Sequence, residues 1–352
     1  MSPLLQSYRS LLLAVLSLLL VLVILFACTV GSMDISIGQI VHIIAAHLHL
    51  PVSAEGFTPA QDSVVWAVRL PRVLFGVLIG ASLALTGAAM QGLFRNPLAD
   101  PGLLGISAGG SMGVIIAIVF GSTLFSAFPL VLRQAMLPIC SILGSLGATL
   151  LVYNLSRVRG RTHATTMLLT GIAVNGLASS VVGTGMYIAS NEQLREYSFW
   201  HLGSLGRAAW PVVFICSICI IPMMWVLCTQ ARALNAFLLG ESEAWHLGIN
   251  VQRVKRLIIC VTAAMVGVGV AYCGVISFLG LIVPHLVRML IGPDHRWLMP
   301  GSILAGAILL VSADLTARTV VTPSELPIGV ITAFFGAPFF FFLLSIRKRN
   351  VR

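Results

Sequence analysis

Long apolar runs constrain this chain more than any other feature of its sequence. A helix of about 20 residues crosses the ~30 Å hydrocarbon core of a bilayer, and residues 11–30 contain no Asp, Glu, Lys or Arg. Further apolar runs follow at 73–93, 103–120, 135–153, 164–189, 212–229, 257–273, 275–291, 298–311 and 328–346. Because lipid offers no hydrogen-bond partner to bare backbone, each run is predicted to be a helix. The predicted fold class is therefore all-α, a polytopic membrane protein with about ten transmembrane helices.

The composition supports this class and argues against others. Hydrophobic residues make up 58% of the 352 residues and charged residues only 9%, too few charges to coat a soluble globule. The net charge of +10 would suit nucleic acid, but membrane proteins collect Lys and Arg in their cytoplasmic loops for topological reasons. We therefore expect membrane lipid around the chain and no nucleic-acid partner. No soluble domain interrupts the bundle, so residues 1–352 are predicted to form a single transmembrane domain.

The distribution of basic residues predicts the orientation. An even number of spans puts both termini on one side, and cytoplasmic loops are rich in Lys and Arg. The segment 31–65 carries Asp34, Glu55 and Asp62 but no Lys or Arg, as an external segment would. With cytoplasmic termini, only six of the 21 basic residues lie outside: Arg69, Arg72, Arg133, Arg195, Arg207 and Arg318. Both termini are therefore predicted to be cytoplasmic.

The longest strongly polar stretch is LGESEAWHLGINVQRVKR, residues 239–256. A short helix is predicted from Ser242 onward, with Glu241 and Glu243 near its positive N-terminal end. Gly248 tolerates the left-handed conformation that ends a helix. A basic run, Arg253, Lys255 and Arg256, then marks the cytoplasmic start of the next span. A surface helix in so apolar a chain suggests a partner, although a solvated loop helix without one would look the same.

Prolines mark two irregular segments. Residues 95–102, RNPLADPG, join the second and third spans, and Asn96, Pro97 and Pro101 predict a rigid turn there because proline cannot continue a helix. In the eighth run, Pro284 frees a backbone carbonyl that needs a neighbouring donor. His285 beside it is expected to be an interhelical hydrogen-bond donor more than a ligand.

Two further sets of polar residues leave alternatives open. Four-residue spacing puts Gly171, Asn175, Ser179 and Gly183 on one face of the fifth span, where they either line a water-accessible path or pack against a neighbour. Three outer arginines either snorkel to water or form a charged rim for a soluble acidic partner: Arg69, Arg72 and Arg318.

Sites for chemistry are weak by comparison. A phosphate-binding G-x-x-x-x-G-K-[ST] motif needs its lysine, and the two lysines, Lys255 and Lys348, lack the flanking glycines and hydroxyl. No paired carboxylates or nucleophile with its base is found at membrane depth, which disfavours a membrane-embedded enzyme. The spacing of His42, His47 and His49 is only weak evidence for metal capture. We expect no enzymatic activity, no metal and no cofactor bound by this chain.

Seven motifs, in order along nearly the whole chain, resemble the FecCD-type permease subunits of ATP-driven importers for iron chelates, haem and cobalamin. They are RLPR (69–72), RNPLADPGLLG (95–105), FWHLGSL (199–205), EAWHLG (243–248), GLIVPHLVR (280–288), GPDHR (292–296) and ELPIGV (325–330). The resemblance implies a ten-helix permease in the bacterial inner membrane that pairs with itself about a central translocation pathway. It also implies two separate ATPase subunits, which hold ATP and Mg²⁺, and a periplasmic substrate-binding protein.

The resemblance assigns roles to residues. It implies a cytoplasmic coupling segment at about 232–256, whose contacts with the ATPase are Glu241, Glu243, Ala244, Leu247 and Gly248. It makes Arg69, Arg72 and Arg318 the residues that meet acidic groups of the binding protein. The fifth span would be the pathway wall, with an outer gate at about 190–210 that includes Phe199, Trp200 and His201.

The substrate prediction rests on two segments of the chain. The segments 193–205 and 292–296 resemble haem-uptake permeases most, so haem import is the first hypothesis and ferric-siderophore or cobalamin import the alternative. His201 could contact iron transiently, but an ordinary interfacial histidine is the favoured explanation. A carrier coupled to protons or sodium is the alternative of another class; it would bury an ionisable residue at mid-span, and Asp314 is the closest candidate.

Overall fold

The computed structural model describes residues 3–31, 33–50, 56–158, 161–162, 164–321 and 324–349. Glu55, one of the acids assigned to the outside, lies beyond these described residues. The helices are α1 Pro3–Thr29, α2 Ile37–His47, α3 Pro59–Ser63, α4 Leu70–Phe94, α5 Ile106–Leu124, α6 Leu130–Leu155, α7 Ala164–Ile188, α8 Asn191–His201, α9 Trp210–Thr229, α10 Ala231–Leu239, α11 Glu241–His246, α12 Val251–Cys273, α13 Leu279–Ile291, α14 His295–Thr319 and α15 Ile328–Arg349. Two-residue strands, β1 Arg157–Val158 and β2 Arg161–Thr162, form a short antiparallel pair between α6 and α7.

All ten predicted apolar runs coincide with helices, which confirms the all-α class. Among the described residues, 8 helical segments are long and apolar enough to cross a membrane. The run predicted at 275–291 is the exception in length, because α13 has only 13 residues and would span about 20 Å at 1.5 Å per residue. α15 has 22 residues. Together with the 8 long segments, α13 and α15 account for the ten predicted runs.

The second span begins earlier than predicted. Instead of starting at Val73, helical structure runs through Pro59–Phe94, 36 residues, with a π-helical turn at Val64–Arg69. Pro71 has no backbone N–H to donate to the preceding turn, and a locally wider turn lets the helix continue through this position. Arg69 and Arg72 therefore lie within a helix and not at its exposed start.

Helix α4 forms the centre of the bundle, packed against α9, α12, α13 and α14. Small residues bring its backbone close to two neighbours, because glycine lets helices approach closely. A Cβ added at Gly80 would lie 2.3 Å from the Gly306 carbonyl oxygen, and one at Gly87 would lie 1.8 Å from that of Gly280. Any side chain at these positions would force the helices apart.

The long helices define two ends of the bundle. Helices α4 and α14 run in opposite directions, so Arg72 and Arg318 meet at one end, which we call the arginine end. Arg95 ends α4 at the other, and α14 begins there. Helix α12 starts beside α11 and finishes against α8 at the arginine end, where Ser204 donates to the Cys273 carbonyl. We call the opposite end the α11 end.

Candidate functional site

The polar stretch at the α11 end folds as predicted. Helix α10 stops at Gly240, whose φ of +130° suits glycine, and α11 follows directly. Gly248, at φ +82°, ends the segment in the left-handed region. Asn250 then caps α12, because its side chain accepts a hydrogen bond from the Arg253 amide. Two sharp turns at glycines therefore present α11 as a separate short helix.

An ion pair between a buried lysine and a half-exposed glutamate holds α11 to the body of the protein. The Lys255 ammonium group lies 2.7 Å from the Glu241 carboxylate and donates to the Thr162 carbonyl at 2.9 Å. The Lys255 side chain is only 6% exposed. Ala244 is fully buried on the inner side of α11. Glu241 and Ala244, both predicted to contact the ATPase, thus have structural partners within this chain, and their predicted ATPase contacts remain a prediction.

The outer side of α11 is a mixed polar and apolar surface. Glu243, Leu247 and Gly248 are exposed, as their predicted role requires. Trp245 is 66% exposed and was not singled out from the sequence, although an aromatic residue inside a polar stretch could have pointed to it. It lines a cavity of about 840 Å³ together with Gln252. Exposed aromatic and aliphatic side chains beside a carboxylate are typical of a protein-binding surface.

At the arginine end, one guanidinium group binds two carboxylates. Arg72 donates from Nε and Nη2 to Asp314 Oδ1 at 3.0 and 2.8 Å, and from Nη1 to Glu325 Oε1 at 2.9 Å. The side chains of Arg72 and Asp314 are 9% and 2% exposed, whereas that of Glu325 is 47% exposed. The hydrogen bonds from Arg72 lower the pKa of Glu325 below its ordinary value, although partial burial opposes the shift. Through these bonds Arg72 joins α4 to α14 and to the segment before α15.

The other two predicted docking arginines cap α1. Arg69 donates from Nη1 to the Cys28 and Thr29 carbonyls at 2.7 and 2.8 Å. Arg318 donates from Nη2 to the Ala27 carbonyl at 3.1 Å, while its Nε lies 3.2 Å from Asp314 Oδ2. The last carbonyls of a helix lack intrahelical partners, and these guanidinium groups supply them.

The arginines therefore do not form the freely exposed rim that the sequence suggested. Arg69 and Arg72 are 4% and 8% exposed, because internal acceptors at span ends satisfy them better than water would. Contact with a binding protein would require exchange of these bonds, and the docking role stays a prediction. The spacing of Asp314 and Arg318, four residues apart on one helix, was the sequence signal for this network.

The predicted outer gate lies at the same arginine end. It contains α8, which Ser190 caps and which Gln193 ties to the Ile118 carbonyl at 2.9 Å. Trp200 is buried, with its indole N–H 3.4 Å from the Ala271 carbonyl. Phe199 is 62% exposed. Of the predicted gate residues, Trp200 therefore anchors the helix, and Phe199 and His201 are available to a passing molecule.

The His201 ring is oriented by two neighbours. It stacks on Tyr197 with ring centroids 5.5 Å apart, and its Nδ1 lies 3.5 Å from the Ser111 hydroxyl. Partial burial of the ring lowers the pKa of His201 below the ordinary value of histidine. The imidazole is consequently neutral at neutral pH.

The polar row of α7 has two different halves. A Cβ added at Gly171 would lie 1.9 Å from the Leu103 carbonyl oxygen, and the Asn175 amide donates to the Gly102 carbonyl at 3.3 Å. These two residues pack against the turn before α5. Ser179 and Gly183 are exposed, so only this second half can face a pathway. Of the two alternatives, packing applies to the first half, and a pathway role for the second remains a prediction.

The predicted turn between α4 and α5 is rigid through local hydrogen bonds. The Asn96 side chain accepts from the Leu98 amide at 3.0 Å, which orders the residues around Pro97. Asp100 accepts from the Gly102 amide at 2.7 Å and caps a 3₁₀ turn that starts at Pro101.

Pro284 lies inside α13, and the carbonyl it frees has a donor. Gln91 of α4 donates from Nε2 to the Gly280 and Leu281 carbonyls at 3.4 and 3.1 Å. Arg288 in turn donates to Gln91 Oε1 at 2.8 Å. The expected backbone partner is thus a side-chain amide on a neighbouring helix. His285 is partly buried, and its predicted donor role has no hydrogen bond to support it among the described residues.

The histidines near the first external segment do not support a metal site. His47 lies 2.9 Å from Asp62 and stacks on Trp66 at 4.0 Å. Among the residues that the structure describes, no group of three or more His, Cys, Asp or Glu side chains is placed to hold a metal ion.

Comparisons with known proteins identify relatives of this chain. The sequence profile of the FecCD transport family matches residues 19–346. The hemin transport system permease protein HmuU of Yersinia pestis is 45% identical over 298 residues, which cover 84% of this chain and 87% of the relative. The vitamin B12 import system permease protein BtuC of Shigella boydii is 37% identical over 339 residues, 95% of this chain and 94% of the relative.

A solved structure supports the fold in three dimensions. A protein described as a metal-chelate type ABC transporter in an inward-facing conformation superposes with a TM-score of 0.80 at 32% identity, over 95% of this chain and 98% of its own. The family match covers more than nine-tenths of the chain, and both relatives are permeases. This chain therefore belongs to the FecCD transport family, as the membrane permease of an importer whose ATP hydrolysis resides in a separate subunit.

Proposed function

We propose that this permease imports haem across the bacterial inner membrane, with both termini in the cytoplasm. The observation that supports haem as the substrate is the 45% identity to a hemin permease over 298 residues. Vitamin B12 permeases at 37% identity keep cobalamin as the second candidate, with ferric siderophores of the same chelate class. Haem is a flat apolar molecule with two carboxylates, which suits a passage between mostly apolar helices.

An ion-coupled carrier is disfavoured by the state of Asp314. A carrier of that class needs a buried ionisable group that is free to bind the coupling ion. Asp314 is buried, but its carboxylate is 2.8 Å from Arg72 and 3.2 Å from Arg318. Two guanidinium groups already balance this carboxylate.

The permease is proposed to act as a homodimer with the pathway between the two copies. Two helices expose large apolar side chains that a second copy would cover: Ile172 and Tyr187 on α7, 63% and 89% exposed, and Phe334 and Phe335 on α15, 70% and 64% exposed.

Energy is proposed to enter at the α11 end. Two separate ATPase subunits in the cytoplasm, which bind ATP and Mg²⁺, would each receive one α11 through Glu243, Trp245 and Leu247. The pair of Glu241 with Lys255 would pass movement of α11 to α12, whose far end packs against the gate. A periplasmic binding protein would dock at the arginine end and deliver haem. The ATPase at α11 and the binding protein at the arginine end would prefer different conformations of the permease. Their differing affinities then set which side of the pathway is open.

Substrate choice is tested by reconstitution. The permease, with its ATPase, is placed in liposomes and offered haem, a ferric siderophore or cobalamin, each on its cognate binding protein. We expect haem alone to stimulate ATP hydrolysis and to accumulate inside. Stimulation by cobalamin or the siderophore but not by haem would overturn the substrate assignment and leave the family unchanged.

The coupling surface is tested by charge reversal. Glu243→Arg changes an exposed side chain, so the fold should persist while co-purification with the ATPase and transport are lost. Glu192→Arg, an equivalent reversal on exposed α8 at the arginine end, is the matched control and should keep the ATPase. Normal ATPase binding and transport in Glu243→Arg would contradict the coupling role of α11.

A further inference from the structure

A basic cavity lies beside the base of α10 at the α11 end. It has a volume of about 420 Å³ and forms where α9 ends and α14 begins. Arg232, in the first turn of α10, and Arg296, in the first turn of α14, line it from two sides. Cys228, Met299 and Pro300 form its apolar wall. The cavity thus has two charged groups and one hydrocarbon surface.

The two arginines are available to a ligand. Both are exposed, and among the described residues neither guanidinium group forms an ion pair or a hydrogen bond. Arg256, by comparison, has the hydroxyl of Tyr153 at 3.4 Å, and Arg288 has Gln91. The cavity therefore combines two cations, neither of which has a direct acceptor among the described residues.

The acid beside the cavity is already satisfied. Asp294 accepts from the Asn235 side chain at 2.6 Å and from the Arg296 amide at 3.0 Å, and it lies 3.9 Å from Arg9. Burial alone would raise the pKa of Asp294, but these hydrogen bonds and the charges of Arg296 and Arg9 lower it, so the carboxylate is ionised at neutral pH. Its one negative charge stands against Arg9, Arg232 and Arg296, which leaves a positive surplus.

The cavity lies at the boundary between hydrocarbon and water. The apolar span of α9 stops at Thr229 and that of α14 begins at His295. Met299 is buried one turn further along α14, and Pro300 is half-buried beside it. A ligand with an anionic head and an apolar tail would place the head between the arginines and the tail along this wall. The planar guanidinium group matches phosphate oxygens in pairs.

We propose that this cavity binds the phosphate group of an anionic phospholipid. The bound phosphate bridges Arg232 and Arg296 and so ties the start of α10 to the start of α14. Helix α10 is already joined to α14 through Asn235, which also accepts from the His295 amide at 2.8 Å. Because α10 ends one residue before Gly240 and α11, the lipid sets the position of the helix that receives the ATPase. This last consequence rests on the proposed function; the lipid site itself does not.

The first experiment measures lipid binding to the isolated permease. Protein is exchanged into detergent, supplied with equal phosphatidylglycerol and phosphatidylcholine, and the retained lipids are counted by native mass spectrometry. We expect selective retention of phosphatidylglycerol, and a loss on the order of tenfold in the double variant Arg232→Gln/Arg296→Gln, since charge-assisted hydrogen bonds are removed. The control, Arg195→Gln/Arg207→Gln, neutralises two exposed arginines at the arginine end and should retain it.

The outcomes separate the lipid from free phosphate. Inorganic phosphate at millimolar concentration should not displace the retained lipid; displacement together with equal retention of both lipids would assign the site to free phosphate and overturn the proposal. Equal phosphatidylglycerol retention in the double variant and the control would overturn it as well. In nanodiscs with the ATPase, the double variant should lose the stimulation of ATP hydrolysis by phosphatidylglycerol. Lipid retention without this effect would refute only the link to α11.

Discussion

Removing Asp314 should cost far more stability than removing Glu325, although both carboxylates bind the same arginine. Asp314 is 2% exposed and lies between Arg72 and Arg318, whereas the Glu325 side chain is 47% exposed. Breaking a buried pair leaves an uncompensated charge and costs about 3–5 kcal/mol. A half-exposed pair contributes about 0–1 kcal/mol, because water replaces the lost partner.

The magnitude follows from what each variant leaves behind. In Asp314→Asn, Arg72 keeps Glu325 and Arg318 keeps the α1 carbonyls, so we expect the lower end of the range, about 3 kcal/mol. In Glu325→Gln, Arg72 keeps Asp314 and the loss should stay below about 1 kcal/mol. The double variant Arg72→Met/Asp314→Leu should recover most of the loss, because well-packed apolar side chains often replace a buried pair without cost.

Reversible unfolding in mixed detergent, followed by circular dichroism, measures these differences. Each variant is first checked for native retention on gel filtration, since a loss of about 3 kcal/mol is a large part of a typical total of 5–15 kcal/mol. Equal and small losses in Asp314→Asn and Glu325→Gln would refute the reasoning, because burial would then not decide the energy of the pair. So would a double variant that is no more stable than Asp314→Asn.

Three further predictions test other parts of the structure. Lys255→Met should free Glu241 and loosen α11, seen as faster proteolysis near Gly240 and weaker ATPase co-purification with the spans intact; unchanged proteolysis would count against the ion pair as an anchor. Gly87→Leu should abolish folded protein, because a Cβ there lies 1.8 Å from the Gly280 carbonyl oxygen, whereas Gly176→Leu, with nothing within 4 Å, should be tolerated; comparable yields would disprove the close approach. The lowered pKa of Glu325 means that its contribution is present above the ordinary glutamate pKa of about 4.3 and is lost as pH falls through the depressed value. The stability difference between the wild type and Glu325→Gln should therefore be constant from neutral pH down to that range and shrink only in stronger acid; a difference that already falls between pH 7 and 6 would contradict this.

The sequence predicts the helices well because lipid leaves the backbone one main solution. Each apolar run became a helix, and Gly248 and Pro284 behaved as their chemistry requires. The partner of the carbonyl freed by Pro284 was predictable in kind, a neighbouring donor, but its identity as Gln91 depends on how α4 and α13 pack, at a separation of 189 residues from Gly280.

The candidate site was harder to predict because its contacts also depend on how distant helices pack. Arg72 and Asp314 are 242 residues apart, so the sequence showed charges at span ends without their pairing. It left snorkelling and a charged rim as open alternatives. The polar row of α7 also looked uniform, although Gly171 and Asn175 face the turn before α5 and Ser179 and Gly183 do not. Periodicity identifies a helix face, but only packing decides what that face meets.

The backbone contacts of α4 limit how the protein can move. Gly80 against Gly306 and Gly87 against Gly280 leave no layer of side chains between α4 and its neighbours α14 and α13. Flexible side chains between two helices can rearrange when the helices slide, and no such side chains lie between the helices at these contacts. Lengthwise shear of these three helices would drive carbonyl groups into one another, so they should travel as one rigid body during transport. Angular change then falls to the loops that enter and leave this body.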